Sequence, residues 1–168
     1  SSPSAIPGSL GRIDLARRAT GLRGVLCYEL SDRDGPAARD AAIEENLDFI
    51  GRAAEEPPGP GGRMHAGMFG LHASFTLEQS TLETVAASSV ARDAGIHVHV
   101  AEDRSDVLRT KEMVGQGILE HFDNLGLLNE RSLCAHGLHL DEAEVARLAA
   151  AGGMLVHNPQ SNMNNAVG

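Results

Sequence analysis

The sequence predicts an α/β fold with parallel strands, on two observations. Short apolar runs alternate along the chain with longer segments of helical periodicity, which is typical of parallel strands joined by crossover helices. Histidines stand at the ends of four successive apolar runs, at His72, His99, His136 and His157. The carboxyl ends of parallel strands meet at one rim, where such folds place their active sites, so we expect these side chains to lie together.

The composition fits one domain with an aliphatic core. The chain has 168 residues, of which 42% are hydrophobic but only 3% aromatic. Its net charge of -9 comes without a basic cluster, which argues against nucleic acid or an anionic membrane as a partner. No apolar run reaches the length of a membrane span, and the two cysteines, Cys27 and Cys134, lack the spacing of a metal or redox motif. We therefore expect buried free thiols and a cytoplasmic protein.

In the first part of the chain, a loop rich in Ser, Pro and Gly precedes two helices separated by a strand. Leu10, Ile13, Leu15 and Ala16 are the expected apolar side of the first helix, and Gly21 ends it. A Pro-Pro-Gly-Pro-Gly-Gly segment closes this part as a loop. The predicted elements are a loop at 1–9, a helix at 10–20, a strand at 23–30, a helix at 37–54 and a loop at 55–62.

The rest of the chain repeats strand and helix to its end. Thr76 or Ser80 is the expected cap of the next helix, and Gly115 and Gly117 predict a bend or an interruption in the longest one. Asp141 is the expected cap of the last helix. The predicted elements are strands at 64–71, 96–101, 132–135 and 154–156, helices reaching to 94 and at 105–124 and 142–151, and a final loop at 158–165.

The segment around His99 carries the strongest chemical signal. Apolar and histidine residues alternate from Ile96 to Val100, which predicts a strand with His97 and His99 on one face. Glu102 can reach that face only if the strand ends and the chain curls over. A neutral imidazole at such a strand end can hold a metal while a nearby carboxylate moves protons, so we favour His99 as a metal ligand. We expect His97, one pleat deeper, to fill the interior.

Other candidates are weaker, and two alternatives stay open. His136 follows an apolar run and is favoured as functional, whereas His72 either binds substrate or is a hydrogen-bonded strand end. The amide-rich loop at 158–165 either caps its own backbone or offers hydrogen bonds to a polar ligand. His139 is expected to be structural, and His65 and His121 to pack or face solvent. No phosphate loop, nucleophile elbow or Cys-x-x-Cys pair is present.

Three strand ends together resemble the amidohydrolase superfamily, in its branch of metal-dependent deaminases and chlorohydrolases. They are His-Val-Ala-Glu at 99–102, Ala-His-Gly-Leu-His at 135–139 and His-Asn-Pro-Gln-Ser-Asn at 157–162. The segments 24–35 and 158–168 are most similar to SsnA-type aminohydrolases. The resemblance covers nearly the whole chain in the right order.

This resemblance implies a (β/α)8 TIM barrel with one divalent metal, zinc or iron. His99 would be a metal ligand, and Glu102 would carry a proton from the attacking water to the substrate nitrogen. His136 would hydrogen-bond that water or the developing tetrahedral centre. His72 would contact the substrate. In the final loop, Asn158 and Ser161 are the candidates for further substrate contacts.

The resemblance also implies metal ligands from a His-x-His on the first strand and an Asp on the eighth, and neither region is in this sequence. His97-Val98-His99 cannot stand in for the first pair, because the Ala-Glu that follows it matches strand five. We therefore expect residues 1–168 to be one incomplete barrel domain with strands about three to seven, inactive alone. The full-length protein would hydrolyse a carbon–nitrogen or carbon–halogen bond of a small nitrogen-rich heterocycle, and we favour deamination. A homo-oligomer is compatible with this. Two rivals remain: a non-catalytic α/β binding module, and a pseudo-enzyme that assembles through open strand edges near Gly24 and Leu155.

Overall fold

Strands and helices alternate throughout residues 6–59 and 61–167, which are the residues that this computed structural model describes. The strands are β1 (Gly24–Leu26), β2 (Glu29–Leu30), β3 (His65–Gly67), β4 (Phe69–Ala73), β5 (Ile96–Val100), β6 (Leu133–His136) and β7 (Met154–Val156). The helices are α1 (Ser9–Thr20), α2 (Pro36–Glu55), α3 (Gln79–Arg92), α4 (Arg104–Val114), α5 (Ile118–Asn124), α6 (Glu142–Ala150) and α7 (Pro159–Asn165).

Every strand pairing among these residues is parallel. One sheet has the order β2-β4-β5-β6-β7, and β1 pairs with β3 beside it. Spatial order follows chain order, as in a barrel, whereas a doubly wound sheet reverses its order at a switch point. The predicted α/β fold with parallel strands is confirmed, and the arrangement is that of a partial barrel.

The first two predicted strands are each broken in the middle. The segment predicted at 23–30 forms two strands, β1 and β2, because the side chain of Asn46 hydrogen-bonds to the backbone of Tyr28 between them. Asn46 Oδ1 accepts from the Tyr28 N–H at 2.8 Å, and Asn46 Nδ2 donates to the Tyr28 carbonyl at 2.9 Å. The neighbouring segment splits at Met68, whose N–H donates to the carbonyl of Leu26. At Tyr28, the side-chain amide of Asn46 from helix α2 thus replaces the hydrogen bonds that a continuous strand would make.

The predicted interruption at Gly115 and Gly117 is confirmed. Gly115 has a φ of 73° and ends α4, and α5 begins after Gly117. A Cβ on Gly117 would lie 2.7 Å from Oε1 of Glu144. That buried carboxylate accepts a hydrogen bond from the N–H of Leu119 in the first turn of α5. Because Gly117 has no side chain, it leaves room for the Glu144 carboxylate, which caps the start of α5.

The predicted caps of α3 are wrong, because Glu78 holds the N-cap position, whereas Thr76 lies before it and Ser80 lies inside the helix. The helix begins at Gln79, and its first turn is held by Asp32 from the loop after β2. One carboxylate oxygen of Asp32 accepts from the N–H of Glu78 at 2.7 Å and the other from the hydroxyl of Thr81 at 3.0 Å. Thr76 ends a short 3-10 turn instead. The predicted cap at Asp141 is confirmed by its hydrogen bond from the Glu144 N–H.

The predicted loop at 158–165 is also wrong, because most of it is the helix α7. Pro159 stands at its first position, where a missing N–H costs nothing, and the Asn158 carbonyl accepts from the N–H of Asn162. The amide-rich composition is typical of a loop and did not indicate this helix. The helix α7 places Asn162 and Asn165 three residues apart, on one of its faces.

The core lies between the sheet and the helices on one of its faces. Ile96, Val98 and Val100 of β5 are fully buried there. On α1, Leu10 is buried as expected, but Ile13 and Leu15 are 49% and 68% exposed. On the open edge of the described sheet, the β7 side chains Met154, Leu155 and Val156 are exposed.

The two cysteines are free, as expected. Cys134 is buried and Cys27 is half-buried, and burial raises the pKa of the Cys134 thiol to about 12 and that of Cys27 to about 11. No helix in the described part of the chain is both long and apolar enough to cross a membrane.

Among the described glycines, Gly95, immediately before β5, lies against the backbone where an added Cβ would meet the closest atom. A Cβ there would lie 2.1 Å from the carbonyl oxygen of Arg131. We expect Gly95→Ala to lower the free energy of unfolding by about 1–3 kcal/mol, because the strand entering β6 must move away. Urea denaturation measures this.

Gly11→Ala is the matched control for Gly95→Ala. Gly11 lies in α1, and a Cβ added there would have no described atom within 4 Å, so alanine should raise stability by up to about 1 kcal/mol. Equal effects of the two substitutions would contradict the steric explanation.

Candidate active site

One open cleft at the carboxyl ends of the strands brings together the histidines singled out in the sequence. Its volume is about 780 Å³. His72, His99, His136 and His157, which lie at or just after the carboxyl ends of four different strands, all line it. The cleft also takes up the other candidates, namely Glu102, Asn158 and Ser161, and in addition His97, Gln160 and Asn165. The expectation that these side chains share one rim is confirmed.

Strand β5 positions the centre of the cleft. His97 and His99 are half-buried on one face of the strand. The residues that alternate with them are fully buried on the other face, as the period-two pattern predicts; they are Ile96, Val98 and Val100. The strand ends at Val100, and Ala101 has a φ of 47°, in the left-handed region. This turn is the curl that Glu102 needs, and the Glu102 side chain reaches the cleft with 25% of its surface exposed.

His99 lies among the other rings. Its ring centroid is 5.4 Å from that of His136, 5.9 Å from that of His72 and 6.2 Å from that of His97. Burial, and then the nearby His136 and His97, lower the pKa of His99 to about 4. The ring is therefore neutral at pH 7, with a lone pair on one nitrogen that a metal ion can use.

His97 lies deeper, as expected. Its Nδ1 is 3.7 Å from Sγ of Cys27 on the neighbouring part of the sheet. Burial lowers the pKa of His97. A smaller, mostly apolar cleft of about 290 Å³ between α1 and the strands contains both residues. His97 also lines the larger cleft, so its expected role of filling the interior stays a prediction.

His136 reaches the cleft through a second left-handed residue. It is in register with Val100, whose side chain faces the helices, but the φ of His136 is 73°. A non-glycine residue in this region carries backbone strain, which persists only where the surrounding contacts hold it. The ring is 5% exposed, and its Nδ1 is 2.7 Å from Oδ1 of Asn162. Its Nε2 lies 3.7 Å from Oε2 of Glu102.

Glu102 is held at both its backbone and its carboxylate. Its N–H donates to Oδ2 of Asp106 at 3.0 Å, and Asp106 also accepts from the N–H of Asp103. Burial raises the pKa of Asp106. The Oε1 atom of Glu102 accepts from Nδ2 of Asn165 at 2.9 Å, which leaves Oε2 toward His136.

His72 lies within β4 at its carboxyl end and not after it. Its Nδ1 is 3.1 Å from the hydroxyl of Thr76, and a guanidinium nitrogen of Arg33 lies 3.1 Å from the same atom. Burial, and then the charge of Arg33, lower the pKa of His72. His72 is therefore hydrogen-bonded locally and also lines the cleft, and its role in substrate binding stays a prediction.

Residues of the site that were not identified individually from the sequence include Arg33, Gln160, Asn162 and Asn165. The density of amides at 158–165 was the available signal for the two asparagines, but only the helix α7 shows which of them point inward. Asn158 and Ser161 lie at its start, half-buried and exposed respectively. Nothing in the local sequence distinguishes Arg33 from the other charged residues of its loop.

The described residues do not form a complete metal site, but they include one candidate ligand, His99. Within residues 6–59 and 61–167, no three His, Cys, Asp or Glu side chains are placed so that they could hold one ion. His99 fits a ligand role through its neutral ring and its position in the cleft. A metal at His99 would thus need ligands from outside these residues.

Curated proteins that are similar to this chain are named as deaminases. A 5-methylthioadenosine/S-adenosylhomocysteine deaminase of Desulforudis audaxviator (strain MP104C) is 34% identical to the chain over 163 residues. The alignment covers 95% of this chain but 36% of that protein. The chain thus spans about a third of the length of the curated relatives it matches.

Solved structures give the same result. An adenosine deaminase from Xanthomonas campestris, crystallised with bound zinc, superposes with a TM-score of 0.79 at 26% identity, covering 92% of this chain and 34% of that one. Guanine deaminase of E. coli shares the fold, with a TM-score of 0.75 at 20% identity, covering 96% of this chain and 38% of the enzyme. The amidohydrolase family profile matches residues 8–168. The chain therefore belongs to the amidohydrolase family.

Proposed function

We propose that this chain is the central part of a metal-dependent hydrolase that deaminates a small nitrogen-rich heterocycle. The observation that carries the proposal is the convergence of His99, Glu102 and His136 from two neighbouring strand ends in one cleft. A neutral imidazole, a carboxylate and a buried histidine are the groups that hydrolytic deamination needs beside a metal.

His99 is the proposed ligand of one divalent metal, zinc or iron. Such a metal, when bound, makes hydroxide available near neutral pH. The named zinc-bound relative favours zinc. The remaining ligands belong to parts of the barrel outside this chain, so residues 1–168 form an incomplete domain that is inactive alone.

Glu102 is the proposed proton carrier. Its Oε2 accepts a proton from the attacking water as the new carbon–oxygen bond forms. It then gives this proton to the leaving nitrogen as the carbon–nitrogen bond breaks and ammonia departs. Nε2 of His136, 3.7 Å from Oε2 of Glu102, accepts a hydrogen bond from the same water and orients it.

His72, Asn158 and Ser161 are the proposed substrate contacts, because they line the cleft around these groups. The substrate class that we favour is a 6-aminopurine nucleoside, on the strength of the relatives named 5-methylthioadenosine/S-adenosylhomocysteine deaminase. The narrower similarity to SsnA-type enzymes stays a prediction. The free, buried thiols support a reducing compartment such as the cytoplasm.

The proposal is tested with the full-length protein, purified and loaded with zinc. Ammonia release is measured with 5-methylthioadenosine, S-adenosylhomocysteine, adenosine, guanine and an amino-triazine. We expect ammonia from at least one aminopurine, with one equivalent of zinc per chain. Zinc at one equivalent without ammonia from any of these compounds would instead favour the non-catalytic binding module.

A further inference from the structure

We propose that Asn162 is a positioning residue that fixes which ring nitrogen of His136 carries the proton. The inference rests on the proposed function of the cleft and extends it to a residue on α7. In this arrangement His136 donates from Nδ1 to Oδ1 of Asn162, and Nε2 keeps its lone pair beside Glu102.

The contact between the two side chains is short and buried. Nδ1 of His136 and Oδ1 of Asn162 are 2.7 Å apart, and each residue is 5% exposed. Leaving a buried polar atom without a hydrogen-bond partner costs much of the free energy that was needed to remove it from water. We therefore expect this hydrogen bond to persist. In a neutral imidazole one nitrogen donates and the other accepts, so the atom facing Nδ1 determines the tautomer.

Glu102 does not compete for the proton at this geometry. Its Oε2 is 3.7 Å from Nε2 of His136, which is beyond hydrogen-bond distance, whereas the contact to Asn162 is well within it. The Nδ2 atom of Asn162 is buried and has no hydrogen-bond partner among the described residues. Among those residues, then, the contact with His136 is what orients this amide.

The tautomer decides what the cleft can do. With the proton on Nδ1, Nε2 of His136 and Oε2 of Glu102 are two acceptors side by side, and one water can donate to both. With the proton on Nε2, His136 could not accept a hydrogen bond from this water. Asn162 thereby keeps Nε2 available as an acceptor beside Glu102.

Asn165 completes the arrangement from the same helical face. Its Nδ2 donates to Oε1 of Glu102 at 2.9 Å, so that Oε2 is the oxygen left toward His136. Asn162 of α7 thus holds His136, and Asn165, three residues further along the same helix, holds Glu102. Both act through another residue and need no contact with the substrate.

The test compares three forms of the full-length protein labelled with ¹⁵N-histidine: wild type, Asn162→Leu and Asn162→Asp. Long-range ¹H–¹⁵N correlations report the tautomer, and the His136 signals are identified by their loss in His136→Gln. We expect the Nδ1–H tautomer in the wild type and in Asn162→Asp, because a carboxylate can only accept. In Asn162→Leu we expect the Nε2–H form to appear.

Kinetics provide a second readout. We expect Asn162→Leu to lower kcat by about 10–100-fold, as for other residues that orient a functional group, with KM changed less than about twofold. Asn162→Asp should restore most of kcat. Met163→Ala, on the same helix but 75% exposed, is the control and should change neither tautomer nor kcat.

A wild-type His136 protonated at Nε2, or an unchanged tautomer in Asn162→Leu, would overturn the inference. If the leucine variant does not fold, the wild type and the aspartate variant still decide. The tautomer is read without turnover, so a protein that shows the expected tautomers but releases no ammonia refutes the proposed function and not the contact.

Discussion

Glu102→Gln in the full-length protein is expected to lower kcat for deamination by about 10²–10⁴-fold. This is the usual contribution of a positioned general acid or base, and the amide keeps the shape of the side chain but cannot take up a proton. Steady-state ammonia release measures kcat, and metal analysis of the same sample shows whether the ion is retained. We expect zinc to remain near one equivalent, because Glu102 is not a proposed ligand.

Glu112→Gln is the matched control for Glu102→Gln. Glu112 lies on the exposed side of α4, the helix that follows Glu102, and the same chemical change there should leave kcat within about twofold. A Glu102→Gln protein with nearly full kcat would refute the proposed proton carrier. Loss of zinc together with activity would instead reassign Glu102 to the metal.

His99→Asn is expected to remove the metal. Loss of an outer residue that merely orients a ligand weakens metal binding by about 10–100-fold, so loss of the ligand itself should exceed about 100-fold. Zinc per chain after dialysis against a weak chelator should fall from about one to a small fraction, with kcat falling in proportion. Added zinc should restore activity only at high concentration.

His97→Asn separates the two histidines of β5. Both lie on the same face of the strand, but His97 is deeper and beside Cys27. We expect His97→Asn to keep its zinc and to lose stability alone. Equal zinc loss in the two variants would show that His97 is also a ligand, contrary to the prediction from its depth.

Much of the fold was predictable because its signals are local. Alternation of buried and half-buried residues along β5 follows from a period that a strand imposes on any sequence. Gly115 could be identified as a break because a helix tolerates glycine poorly. Four histidines at successive strand ends indicated one site, since parallel strands carry their carboxyl ends to one rim.

Two of the wrong predictions share a physical cause, which is a partner distant in sequence. Asn46 interrupts the first strand from a helix 18 residues away, and Asp32 caps α3 from 46 residues before it. No window of local sequence contains both members of such a pair. The missed helix α7 has a local cause instead, because its asparagine-rich composition is typical of a loop although Pro159 stands at the first position of a helix.

The sequence by itself determined which residues this protein can use for chemistry and at which end of the sheet they lie. Only the tertiary structure decided how they face one another. The left-handed turns at Ala101 and His136 direct Glu102 and His136 into the cleft, and α7 brings an amide to each. Backbone strain of this kind is stable only when contacts from several elements hold it, so it belongs to the assembled fold and not to the local sequence.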